Sequence, residues 1–273
     1  MTTSAMPDLL ATIVATARRI TEVRRTRASD QHLERLAATR HPQGDTFVRA
    51  LREDPPPRVI AECKRRSPSR GILREDYKPA EHAAAYARAG AAAISVLTEP
   101  TFFDGSLDHL RQARAVVDTP LLRKDFIVDR YQILEAVASG ADAVLLIVGA
   151  LQAAALQSLL VSVRELGVAA LVEVHDAGEL RIAADAGAEL IGVNSRNLRT
   201  LSVEPHLHEE LASMMPAGIV NVAESGLRQP ADLRRLEKAG YHAFLVGERL
   251  ITQPDPGAAL AALRDGTRRA GKE

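Results

Sequence analysis

From Arg58 onward the chain alternates short apolar runs with stretches of helical pattern or length, eight times over. The runs are Val59–Lys64, Ala93–Leu97, Leu121–Phe126, Ala143–Val148, Ala169–Val174, Leu190–Asn194, Ile219–Ala223 and Ala243–Val246. Such alternation specifies parallel strands joined by helical crossovers. Eight units can close a barrel, whereas an open doubly wound sheet usually has fewer strands. Four of the helical stretches end in glycine just before a strand, at Gly90, Gly140, Gly187 and Gly240, about 50 residues apart. Glycine suits the left-handed turn at a helix C-terminus. One such glycine means little, but a recurrence every two βα units favours a fourfold quasi-symmetric barrel. The expected class is α/β, a (β/α)₈ barrel.

The segment upstream reads differently. Leu9, Leu10, Ile13, Ala17 and Ile20 form a helical stripe, and a second helical stretch starts near Gln31. Pro55-Pro56-Pro57 then breaks the chain. Residues 1–57 are therefore expected as a helical extension of the same domain, and residues 58–273 as the barrel. The hydrophobic share of 46% supplies a large core. Lys and Arg (35) balance Asp and Glu (35), which removes any global field favouring nucleic acid or anionic lipid. The clusters Arg18-Arg19 and Arg24-Arg25 are expected as a solvated helix face. Cys63 is the only cysteine, so an internal disulfide or thiolate metal cluster is excluded. No apolar run approaches the roughly 18 residues of a membrane span. The N-terminus lacks a signal-peptide pattern, so a cytoplasmic location is expected.

Charges gather where the strands end, which in barrel enzymes is where the chemistry sits. Residues two apart on a strand share a side, so Glu62 and Lys64 point together and Cys63 points away. Lys124 and Phe126 share a side at the end of the third run, Glu173 comes near the end of the fifth, Asn194 ends the sixth with Arg196 just beyond it, and Glu224 follows the seventh. An ion pair or a helix cap would explain any one of these. Five strands ending in polar groups together read as one pocket. Ser225-Gly226 and Gly247-Glu248 follow strands seven and eight, where many barrels hold phosphate through backbone amides. Glycine at both places favours phosphate over a plain helix cap, provided that the Glu248 carboxylate turns aside.

These strand ends resemble the indole-3-glycerol phosphate synthase family. The resemblance rests on Ala61-Glu62-Cys63-Lys64-Arg65-Arg66-Ser67-Pro68-Ser69-Arg70-Gly71, Ser95-Val96-Leu97-Thr98-Glu99, Phe103 with Gly105-Ser106, and Leu122-Arg123-Lys124-Asp125-Phe126-Ile127. It continues in Val172-Glu173-Val174-His175, Gly192-Val193-Asn194-Ser195-Arg196-Asn197-Leu198 and Ala223-Glu224-Ser225-Gly226, covering roughly residues 58 to 250. Arg130, where proline is expected, Arg249 and the stretch His41–Asp45 depart from the family pattern. The resemblance implies a lyase that cyclises and decarboxylates 1-(2-carboxyphenylamino)-1-deoxyribulose 5-phosphate in tryptophan biosynthesis, without cofactor or metal. It implies Lys124 as general acid and Glu173 as general base, with Lys64 on the carboxylate and Glu62 orienting Lys64. Ser67, Phe103, Phe126, Asn194, Arg196 and Glu224 would contact substrate, with Ser67 on a mobile loop from Lys64 to Gly71. Ser225, Gly226, Gly247 and Glu248 would form the phosphate end. Neighbouring cations are expected to bring the Lys124 pKa down towards neutral.

The expected partner is a small phosphorylated substrate, with neither nucleic acid nor membrane; association with other tryptophan-pathway enzymes stays open. Three other readings compete. Lys64 and Lys124 could serve a Schiff-base aldolase, the barrel could be a relic that only binds phosphosugars, and the run from Arg65 to Arg70 could be a phosphorylated tail. A relic would have lost some of Glu62, Lys64, Lys124 and Glu173, yet all four are present.

Overall fold

Eight parallel strands close into a barrel in the computed structural model, which describes residues 8–269. Residues 1–7 and 270–273, the outer ends of the two expected segments, lie outside the described residues. The strands are β1 (Arg58–Cys63), β2 (Ala93–Leu97), β3 (Leu121–Lys124), β4 (Ala143–Ile147), β5 (Ala169–Val174), β6 (Leu190–Asn194), β7 (Val220–Glu224) and β8 (Ala243–Val246). Each pairs with its sequence neighbour, and β8 closes on β1. The pattern of apolar runs thus gives both the number of strands and their order. Some ends differ from expectation. β3 stops at Lys124 because the Asp125 carboxylate takes the Phe126 amide at 2.8 Å, which removes that donor from the ladder. β7 is shifted one residue along, so that Glu224 is its last member.

Alternation along the strands divides the core. Ile60, Leu122, Leu145, Leu171, Val222 and Leu245 fill the barrel interior, while Val59, Ala61, Cys63, Val96, Val172 and Val246 face the surrounding helices. Glycines 90, 140, 187 and 240 all adopt positive φ where their helices end, as expected of the C-cap turn.

Among the described residues three helices precede the barrel: α1 (Leu9–Arg27), α2 (Asp30–Ala37) and α3 (Gly44–Glu53). The sequence marked two helical stretches here. The third is separate because Pro42 cannot continue a helix. α3 covers the N-terminal end of the barrel: Phe47 and Leu51, both fully buried, join Ala93, Ala169, Val220 and Ala243, the first residues of four strands. Gly44 is required there, since a Cβ would press on the Gly167–Ala169 backbone at 2.7–2.8 Å. α1 reaches the opposite end, where Leu9 and Ile13 line the mouth.

The expected solvated face of α1 is only half right. Arg18 and Arg19 are exposed, but Arg24 and Arg25 turn inward. Arg25 binds Asp129 (2.6 Å) and Asp30 (2.9 Å) and sits 4.9 Å over the Tyr131 ring, while Arg24 lies 3.3 Å from Glu135. The helix Arg130–Ala138 and its N-cap Asp129 offer acidic and aromatic partners that recruit the second pair, whereas Arg19 pairs only with the exposed Glu22 one turn along α1. Arg130, off the family pattern, pairs with Glu34 of α2 at 2.8 Å and adds to the same contact.

Candidate active site

The C-terminal ends of the strands surround a cavity of about 700 Å³. Register brings its charged residues together. Leu97 of β2 pairs with Lys124, Glu173 pairs with Gly192, and Asn194 pairs with Glu224. Lys124 lies at the centre: its Nζ is 2.9 Å from Glu224 Oε2 and 3.2 Å from Glu173 Oε2. Asn194 Nδ2 donates to Glu173 Oε1 (3.0 Å), and Ser225 Oγ donates to Asn194 Oδ1 (2.8 Å). Lys64 forms an ion pair with Glu62 across the same space. Two glycines make room for the carboxylates: a Cβ at Gly192 would overlap the Glu224 head group, and one at Gly247 would overlap that of Glu62.

The expected downward shift of Lys124 does not occur. Burial alone would lower its pKa, but the carboxylates of Glu224, Glu173 and Glu62 outweigh burial and hold it above the ordinary lysine value. Its neighbours are anions, so the lysine stays protonated. The two flanking carboxylates differ from each other. Burial pushes Glu224 up to about 7 despite Lys124. Burial would raise Glu173 too, but Lys124, His175 and the Asn194 hydrogen bond hold it below the usual carboxylate range.

The apolar end of the cavity is formed by Phe103 and Phe126, with ring centroids 6.2 Å apart and tilted by 36°, together with Leu9, Ile13 and Ile147. Phe103 is placed by Glu99, a buried carboxylate at the end of β2 that accepts the amides of Thr101 (2.9 Å), Phe102 (2.7 Å) and Phe103 (3.1 Å). At the opposite side lie Ser225, Gly226 and Gly247, with Glu248 opening the short helix Glu248–Ile251. Ser225 and Gly226 both hold positive φ (67° and 73°), which bends the chain sharply out of β7. Arg70 lies 3.5 Å from Glu248, so that carboxylate has a cation of its own. The run from Arg65 to Arg70 is no loose tail. Arg66–Ser67 pairs with Gly71–Ile72 in a short hairpin, and Ser67 lines the cavity.

A family model for indole-3-glycerol phosphate synthase matches residues 10–263. This chain belongs to the indole-3-glycerol phosphate synthase family. Among its relatives, indole-3-glycerol phosphate synthase 2 of Streptomyces coelicolor is 51% identical over 258 residues, covering 94% of this chain and 99% of the relative. The Bordetella pertussis synthase is 46% identical over 262 residues, with the same coverage of 94% and 99%. Solved structures add the fold alone. Thiamine phosphate pyrophosphorylase from Pyrococcus furiosus has a TM-score of 0.58 at 16% identity, covering 78% of this chain and 96% of that one. Orotidine 5'-phosphate decarboxylase from Pyrococcus horikoshii has a TM-score of 0.57 at 16% identity, covering 77% and 99%.

For an indole-3-glycerol phosphate synthase family member, the site residues singled out from the sequence all line this one cavity. Arg196 is held partly by its own loop, its Nη1 donating to the Leu201 carbonyl at 3.0 Å. Two functional neighbours escaped the sequence reading. Glu99 looks like a routine polar strand end, and only the three amides it collects reveal its part. His175 lies behind Glu173, with its Nε2 3.2 Å from Glu173 Oε1. The signal for His175 was available, because it follows Glu173 by two residues and shares its side.

Proposed function

We propose that this protein catalyses the indole-3-glycerol phosphate synthase reaction at this mouth. It would convert 1-(2-carboxyphenylamino)-1-deoxyribulose 5-phosphate to indole-3-glycerol phosphate, CO₂ and water. The observation that carries the reading is the Lys124 ammonium held within hydrogen-bond distance of both Glu173 and Glu224 at the mouth, in a chain of this family. Lys124 is the general acid: it gives its proton to the ketose carbonyl oxygen as the ring carbon bearing the carboxylate attacks the carbonyl carbon. CO₂ then leaves with its bonding pair returning to the ring. Glu173, held ionised, is the base that removes a proton as water is lost. Glu224, hydrogen-bonded to Lys124 and near neutrality in pKa, is matched to return a proton to the lysine, which passes it to the departing hydroxyl so that this leaves as water. The substrate amine supplies the electrons, so the reaction requires no cofactor.

Lys64 takes the substrate carboxylate, with Glu62 holding the ammonium in place. Phe103 and Phe126 take the aromatic ring, whose flat apolar faces suit the apolar end of the cavity. Asn194 and Arg196 contact the polar middle of the substrate, and Ser67 reaches it from the hairpin. Ser225, Gly226 and Gly247 receive the phosphate, and Arg70 draws the Glu248 carboxylate aside. On this reading the protein is a cytoplasmic enzyme of a small phosphorylated metabolite. A Schiff-base aldolase would need a neutral lysine as nucleophile; the raised pKa of Lys124 and the ion pair of Lys64 speak against it.

The test uses the absence of tryptophan from this sequence. Purified protein given the substrate, with chelator present, is expected to raise an indole emission band from a nearly dark background. CO₂ release should match it one for one. Well-folded protein that stays dark while saturated with substrate would refute the reading.

A further inference from the structure

The pair Glu173 and Glu224 poses a question of charge. Each lies within hydrogen-bond distance of the same Lys124 ammonium, and one cation cannot neutralise two buried carboxylates. The surroundings decide which carboxylate keeps its charge, and they are unequal. Glu224 Oε1 is buried with no hydrogen-bond partner. Glu173 Oε1 receives Asn194 and lies 3.2 Å from His175 Nε2. The other imidazole nitrogen, Nδ1, is 3.1 Å from Glu179 Oε2. Glu179 lies in the first turn of the helix Ala177–Asp185 and is itself fixed, since its Oε2 accepts the His175 amide at 2.8 Å and its amide donates to Asp176 at 2.8 Å.

An imidazole with a carboxylate at each nitrogen can satisfy both only when both nitrogens carry protons. The contact with Glu173 is close but not a well-aligned hydrogen bond, so a protonated ring would act on Glu173 mainly through its charge. The ring is about 15% exposed and is absent from the cavity lining. It therefore stands behind Glu173 and acts through it. The charged groups around the pair are Glu179 from the helix after β5, Lys124 from β3 and Glu224 from β7, with Glu62 acting on Lys124.

We propose that His175 is a positioning residue for the reaction: an imidazolium clamped between Glu173 and Glu179 that keeps Glu173 ionised and leaves Glu224 to carry the shared proton. The proposal rests on the reading of Glu173 as the base. Its energetics agree with the geometry: burial would lower the His175 pKa, but Glu173 and Glu179 raise it to about 10.

The experiment measures kcat and KM against pH for the wild type, His175→Gln, His175→Lys and Glu173→Gln at saturating substrate. Loss of a cation at this distance moves a carboxylate pKa up by about one to three on the pH scale. His175→Gln is expected to bring an acid limb of kcat up by that amount, with KM within about twofold of the wild type, and His175→Lys to restore the low limb. A wild-type profile for His175→Gln beside an inactive Glu173→Gln overturns the proposal and leaves Glu173 as the base. Near-normal turnover by Glu173→Gln overturns the reading of the base itself, and the proposal with it. Should His175→Gln fail to fold, imidazole ¹⁵N shifts of the wild type at pH 8 decide the matter, with His175 assigned through the signal that moves in Glu179→Gln. Two protonated ring nitrogens are expected; a neutral ring would overturn the proposal.

Discussion

Arg123 and Lys124 are adjacent in sequence and point to opposite sides of β3, and each is the centre of a buried charge cluster. Behind the strand, Arg123 is fully buried. It donates to Thr98 (3.1 Å), to the Gln132 carbonyl (2.5 Å), to Asp125 (2.9 Å) and to Glu135 (3.3 Å), while Arg24 adds a second cation to Glu135. Two cations meet two carboxylates there, and nearly every polar atom has a partner. At the mouth, Lys64, Lys124 and His175 meet Glu62, Glu173, Glu179 and Glu224, and the surplus carboxylate is the one whose Oε1 lacks a partner. A balanced network in a dry interior is costly to break and fixes geometry. An unbalanced one beside a cavity leaves a group ready to exchange a proton near neutral pH. The first holds β3 to the helical extension, and the second is the cluster to which we assign the reactivity.

The comparison should break in different ways on its two sides. The largest effect is expected from Glu173→Gln, which keeps shape and loses the base: kcat should fall by about 10²–10⁴-fold, with circular dichroism unchanged. Near-normal turnover would remove Glu173 from the role. On the other side, Arg123→Met should cost about 3–5 kcal/mol in urea unfolding, the typical result of stripping one partner from a buried ion pair. Stability within about 1 kcal/mol of the wild type would mean that the Arg123 network does not hold the strand as described.

A smaller effect concerns pH. The folded pKa of Glu224 is raised to about 7, so its contribution to stability is fully present below the ordinary glutamate pKa of 4.5 and is lost as pH rises through 7. Glu224→Gln removes that dependence and should gain stability relative to the wild type from about pH 5 to pH 8. A constant difference across that range would contradict the assigned shift. The weakest effect is expected from inorganic phosphate or sulfate, which should compete with substrate at Ser225, Gly226 and Gly247. Purely noncompetitive inhibition would place the anion elsewhere.

Much of this site was legible because strand parity and strand ends are local properties. Glu62 and Lys64 share a side by simple alternation, and the same rule sets Lys124 apart from Arg123. The eight apolar runs fix the order of strands, and closure then brings their ends together. What the sequence could not reveal depends on distance in space. The direction of the Lys124 shift reverses because Glu173 and Glu224, 49 and 100 residues away in sequence, meet the ammonium in the closed barrel. Arg24 turns inward only because Glu135 lies 111 residues away on the surface where α1 docks. His175 could have been read from parity with Glu173, but Glu179 gives it a purpose, and that contact requires the helix Ala177–Asp185 to start where Asp176 caps it.

The contrast between the two sides of β3 is tested most directly by Lys124→Met, with kcat and urea unfolding measured on the same preparation. The mouth is open to solvent and Glu224 can take up a proton, so the variant should lose less than half of the roughly 3–5 kcal/mol expected for Arg123→Met. Its kcat should nonetheless fall by at least about 10²-fold. A variant destabilised as severely as Arg123→Met, yet turning over near the wild-type rate per folded molecule, would contradict the account.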